Sequence, residues 1–186
     1  MKKNILPAIR LTILCAIIFV AGYSALVFGA AKFAPGKGQG QTIVVNGHKY
    51  YSNIGQKFTE DRYFWSRPSA VDYNAAGSAG SNKGPSNPEY LATVKARIDT
   101  FLVHNPGIKA SDIPSDMVTA SGSGLDPNIS VQGAKIQVAR IAKTRNLSEE
   151  KVMNLVNDNI EKPFLGLFGT EKINVLKLNI ALDNLK

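Results

Sequence analysis

An N-terminal membrane-spanning helix followed by one compact α+β domain is the architecture this sequence predicts. Three observations carry it: an uncharged apolar run from Leu11 to Ala31, a stretch of small residues after it, and mixed strand and helix signals beyond. At about 1.5 Å per residue that run makes a helix of roughly 30 Å, the thickness of a bilayer's hydrocarbon core. A cleaved signal peptide is the competing reading, but its apolar region is usually about 7–15 residues, shorter than this run. Leu14 before Cys15 also argues against a lipoprotein site. Lys2, Lys3 and Arg10 precede the run and Lys32 and Lys37 follow it. The positive-inside rule therefore places residues 1–10 in the cytoplasm, 11–31 in the membrane, 32–41 as a tether, and 42–186 outside as the folded domain.

All 14 acidic residues lie in that domain, the whole chain carries a net charge of +8, and its basic residues are scattered singly with no run longer than Lys2-Lys3. Nucleic-acid binding, which clusters basic residues, is not indicated, whereas anionic lipid or an acidic partner surface fits. The sole cysteine, Cys15, lies in the apolar run, so the domain has neither disulfides nor thiolate metal sites.

The elements follow in order. Ala34 to Gly40 is a flexible tether. Thr42–Val45 and His48–Tyr51 flank Asn46-Gly47, whose tolerance of positive φ signals a tight β-hairpin. Asn74 to Asn87 is a loop of small residues. Asn87, Pro88 and Glu89 then signal a helix start, with Leu91, Val94, Ile98, Phe101 and Leu102 on one face and Asn105-Pro106-Gly107 as the stop. Asp112 to Asp126 is irregular. One helix is expected from Ser130 to about Arg145, burying Ala134, Val138, Ile141 and Ala142. Another is expected from Ser148 to Pro163, burying Val152, Leu155, Val156 and Ile160. Ile173 to Leu178 looks like a strand, and Ile180 to Leu185 either continues it or turns helical.

Catalytic templates fail on spacing. Gly36-Lys37 lacks the earlier glycine and following hydroxyl of a phosphate loop. Gly122-Ser-Gly124 leads into Leu125-Asp126-Pro127 rather than a third glycine and a helix. Ser121-Gly-Ser-Gly124 is no nucleophile elbow, and His48 and His104 form no base–nucleophile or metal-ligand pattern. His104, at a helix end, is read as a cap for its carbonyls. Two segments carry more. Tyr63, Phe64, Trp65 and Arg67 interleave aromatic rings with arginine, a composition shared by partner-binding anchors and by core edges with cation–π pairs. Ser121, Gly122, Ser123 and Gly124 let backbone amides approach a ligand closely, as does the loop from Ser78 to Gly84.

With these segments in place, Tyr63-Phe-Trp-Ser-Arg-Pro-Ser-Ala70, Ser78-Ala-Gly-Ser-Asn82 with Gly84-Pro-Ser-Asn-Pro88, Val118-Thr-Ala-Ser-Gly-Ser-Gly-Leu-Asp-Pro127 and Asn174-Val-Leu-Lys-Leu-Asn-Ile-Ala-Leu-Asp183 together resemble the C subunits of Kdp potassium-transporting P-type ATPases. The resemblance covers nearly the whole chain. Asn128, where many relatives have histidine, and Val131, in place of a common proline, depart from it. It implies a single-pass accessory subunit of a bacterial inner-membrane potassium importer, without a catalytic role of its own. The implied partners are a potassium-translocating subunit, an ATP-hydrolysing subunit, a small single-helix subunit and membrane lipid. No covalent cofactor is implied; ATP and K+ are handled by the complex. The family is described as aiding assembly and as a catalytic chaperone that raises ATP affinity, with ATP bound in a transient complex. ATP is cytoplasmic and the Gly/Ser loops are expected outside, so a structural role ranks first and nucleotide contact through Ser121 to Gly124 or Ser78 to Gly84 second. A free-standing membrane-anchored binding domain, with Tyr63 to Trp65 as a stacking platform, and a hydrolase using Ser121 or Ser123 are the rival readings.

Overall fold

The computed structural model describes residues 4–185; Lys2, Lys3 and Lys186 lie outside them. The chain divides after Tyr51 into two compact units. In the first, α1 (Ile5–Cys15), a π-helical segment (Ala16–Gly22) and α2 (Tyr23–Ala31) join into one helix over Ile5–Ala31. Its most apolar window has a mean hydropathy of 2.4, and the unit buries none of it. It is long and apolar enough to cross a bilayer, which would cover the exposed side chains. Tight turns follow, with Gly36, Gly38 and Gly40 at φ +83°, +79° and +81°. The hairpin then forms as expected. β1 (Thr42–Val45) pairs antiparallel with β2 (His48–Tyr51) in the register Thr42↔Tyr51 to Val45↔His48, and Asn46 and Gly47 take φ 49° and 80°.

The second unit is helical around a two-stranded sheet. α3 (Pro88–His104) starts where Asn87 Oδ1 accepts from Tyr90 N at 3.0 Å. Removing this cap by Asn87→Ala is expected to cost about 1 kcal/mol. The check is the urea midpoint of Trp65 fluorescence, since Trp65 is the chain's only tryptophan and sits in this unit. Only the C-terminal end of α3 enters the core, through Phe101; Leu91, expected inside, is 53% exposed.

The helix expected from Ser130 to Arg145 is instead two, α4 (Val131–Lys135) and α5 (Val138–Arg145). Gln137 explains the break. Its side-chain Nε2 donates to the Gly133 carbonyl at 2.8 Å, the acceptor its own amide would use in a continuous α-helix, and that amide turns to Ala134 O at 3.0 Å. Asp116 anchors the start of α4, accepting from Ser130 N at 2.7 Å and Ser130 Oγ at 2.9 Å. α6 (Glu149–Asp158) ends before Ile160 and buries Val152 and Val156.

The strand expected over Ile173 to Leu178 is only two residues long. β4 (Ile173–Asn174) pairs with β3 (Asn128–Ile129), and α7 (Val175–Asp183) follows at once. Asn174 makes the switch by accepting from Lys177 N at 3.1 Å. The helical spacing of Val175, Leu178 and Leu182 then outweighs the β-branched start. These three pack with Ile129, Ala134, Val138, Ile141, Val152, Val156 and Ile173 as the core.

Candidate functional site

The segment from Ser52 to Tyr73 has almost no regular structure, yet it crosses the core. Buried polar side chains from the helices take the place of strand neighbours. Asn179 of α7 accepts from Phe64 N at 2.9 Å and donates to Phe64 O at 3.0 Å, so one amide clasps both main-chain groups of a residue. Gln137 Oε1 accepts from Trp65 N at 2.8 Å, and Asn174 Nδ2 donates to Ser52 O at 2.7 Å.

Arg140 does most. Its Nη1 donates to the carbonyls of Asp61 and Tyr63, Nε to Asn105 Oδ1 at 3.0 Å, and Nη2 to Gln137 Oε1 at 2.6 Å. Its guanidinium also lies 4.7 Å from the centre of the Trp65 ring. Burial pushes its pKa down to about 10, against the opposing charge of Asp61, so it stays protonated at neutral pH. Among the described residues no buried side-chain nitrogen or oxygen is left without a partner.

The sequence-predicted site residues fall into different settings. Phe64 is fully buried, and Tyr63, Trp65 and Arg67 are half-buried. Trp65 meets Phe101 edge-on at 5.9 Å and His104 at 5.0 Å. His104 does not cap α3 as expected. It faces Asp61 Oδ1 at 2.7 Å, while Asn105 Nδ2 donates to Phe101 O at 2.9 Å. Arg67 bridges to Asp126 at 3.1 Å and reaches Thr119 O.

The two Gly/Ser loops come together. Ser78 Oγ donates to Ser123 O at 2.9 Å, Ser69 Oγ to Gly124 O at 2.7 Å, and a Cβ at Gly80 would stand 3.0 Å from Gly122 O. Ser121 is buried, and its amide donates toward Pro68 O.

Between this segment and α3 lies a cavity of about 400 Å³, walled by Phe58, Trp65, Pro68, Tyr73, Arg97 and Phe101 among others. Tyr73 donates to Arg67 O at 2.7 Å. Burial first, then the Asp72 carboxylate, pushes its phenol up to about 12, so it remains a donor throughout the neutral range. Among the described residues no group of three His, Cys, Asp or Glu side chains converges as a metal site. Sequence reasoning missed Gln137, Arg140, Asn174 and Asn179. Their signal was polar residues set among apolar ones, Arg140 and Asn179 within helix faces and Gln137 and Asn174 immediately before helix starts.

An apolar helix able to cross a bilayer, joined to an α+β domain whose irregular segments are locked from within, defines a chain compatible with a single-pass membrane protein. It belongs to the family described as KdpC, the c chain of K+-transporting ATPase, matched over residues 5–184. Among its relatives, potassium-transporting ATPase KdpC subunits, the Flavobacterium psychrophilum protein is 59% identical over 99% of this chain and 100% of its own length. That of Bacteroides fragilis is 50% identical over 99% and 98%, and that of Caldanaerobacter subterraneus 46% over 98% and 95%. Membership makes the chain a subunit of a potassium-transporting ATPase, with partner subunits, and displaces the free-standing and hydrolase readings.

Proposed function

We propose that the chain acts first as an assembly subunit, with its N-terminus cytoplasmic and its domain outside, holding the potassium-translocating, ATP-hydrolysing and small single-helix subunits together. The observation that carries this is internal occupancy. The small-residue loops and the aromatic–arginine segment spend their polar groups on one another and on buried side chains, as a rigid docking body requires. Tyr63, Trp65 and Arg67 present the partly exposed edge a partner would meet, and Phe64 fixes that edge from beneath. Raising the ATP affinity of the catalytic subunit is the second reading, favoured by the meeting of the Ser78 and Ser123 loops at 2.9 Å.

Deleting the chain is expected to abolish co-purification of the remaining subunits and potassium-stimulated ATP hydrolysis. An intact, fully stimulated complex would overturn the assembly role. In an assembled complex, Gly122→Val is expected to leave the KM for ATP unchanged; a selective rise would put nucleotide contact first. A reporter fused at the C-terminus and active only inside the cell would reverse the topology.

A further inference from the structure

We propose that the tip formed by Phe164, Leu165, Leu167 and Phe168 is an anchor that inserts into an apolar cleft on a partner subunit of the ATPase complex. This rests on the assembly reading and gives it a surface.

The four side chains are 72%, 74%, 81% and 64% exposed, and none joins the core. They form a built projection rather than a loose loop. Glu161 and Lys172 exchange main-chain hydrogen bonds at 2.8 and 3.1 Å at its base, and Phe164 and Phe168 exchange theirs at 2.9 and 3.0 Å near its end. The two phenylalanine rings lie 6.5 Å apart. Leu165 holds φ +53°, a conformation that bulky side chains rarely adopt, while Gly166 beside it at φ +72° has open space around it. Folding alone favours Gly or Asn at such an exposed turn. A strained leucine that buries nothing in its own chain points to a use outside it. Because the tip is already shaped, little ordering entropy opposes its docking.

Charge selects the occupant. A tip that docked on anionic lipid would gain from a basic rim facing the headgroups. Here Glu161, Lys162, Glu171 and Lys172 balance, and Glu161 also holds Lys177 at 2.6 Å. A second copy is disfavoured by area. Four such side chains expose on the order of 500 Å², against about 800 Å² per partner in a stable interface. The tip suits a cleft in a complex that other contacts also hold.

The test uses the full chain, expressed with its partner subunits and purified in mild detergent. Leu167→Asp with Phe168→Asp is expected to reduce the partner subunits retained on the tagged chain about tenfold, with the Trp65 unfolding midpoint unchanged. A photoreactive phenylalanine analogue at position 167 is expected to crosslink to a subunit of the complex, identified by mass. Full retention by the double variant, or crosslinking to lipid, to a second copy or to nothing, would overturn the proposal. If deleting the whole chain leaves the complex intact, the assembly reading itself fails. If deletion dissolves the complex but the double variant keeps it, only the tip fails.

Discussion

Arg140→Ala is expected to destabilise the second unit by about 3–5 kcal/mol, more than any surface substitution in this chain. The measurement is the urea midpoint of Trp65 fluorescence for the full chain in mild detergent. The guanidinium side chain is 4% exposed, and alanine would strand the carbonyls of Asp61 and Tyr63 and the amide oxygen of Asn105, and leave Gln137 Oε1 with only its bond from Trp65 N. Each unmet acceptor costs about 1–3 kcal/mol, partly relieved where water can enter the space left. Lysine is expected not to rescue, because its ammonium cannot serve four acceptors spread around a planar fork. The pH dependence has a definite sign. Folding lowers the Arg140 pKa to about 10, so below pH 10 both folded and unfolded chains hold the proton and this group adds no slope. Only above about pH 10 does the unfolded chain bind more protons, and there this group's contribution moves in favour of folding as pH rises. A stability profile that changed across pH 6–8 on replacing Arg140 would contradict that assignment.

Gly124→Val and Gly122→Val, two positions apart, are expected to part widely. Gly124 sits at φ +69°, and a Cβ there would meet Val71 Cγ2 at 2.5 Å and the Ala79 carbonyl at 2.8 Å. Left-handed backbone costs a branched residue about 1–2 kcal/mol, and overpacking about 1–3 kcal/mol more. The sum is about 3 kcal/mol or more, with the joint between the Ser69–Gly80 and Ser121–Asp126 loops opened. A Cβ at Gly122 meets nothing within 4 Å, so its variant is expected to stay within about 0.5 kcal/mol of the parent. Equal midpoints for the two variants would refute the close packing of these loops. The contrast also makes position 122 the cleaner probe for nucleotide, since any loss of ATP affinity there would not be a loss of fold.

The features legible in the sequence were those that local chemistry dictates. Asn46-Gly47 specified the hairpin, Asn87-Pro88 the start of α3, and the apolar run the N-terminal helix. The misread breaks at Gln137 and Asn174 share a cause: a polar side chain that also works at long range. Gln137 reads as an ordinary helix residue until Trp65, far away in the chain, needs its oxygen. Asn174 reads as a strand residue until it caps α7 and holds Ser52. The exposed face of Leu91 has no signature within α3 itself, because what covers a helix lies elsewhere. In the same way, the aromatic–arginine segment could be recognised as unusual, but not as a strip of main chain clasped by Arg140, Gln137 and Asn179.

The clasp by Asn179 has a consequence for the order in which the polypeptide becomes native. Phe64 and Asn179 are separated by 115 positions, so the amide that closes on Phe64 is synthesised long after it. Until then the early stretch has no mate for its peptide groups, and bringing such distant points together is slow. The clasp is thus a lock whose key arrives long after it, which leaves the early stretch unclosed while the intervening helices are made.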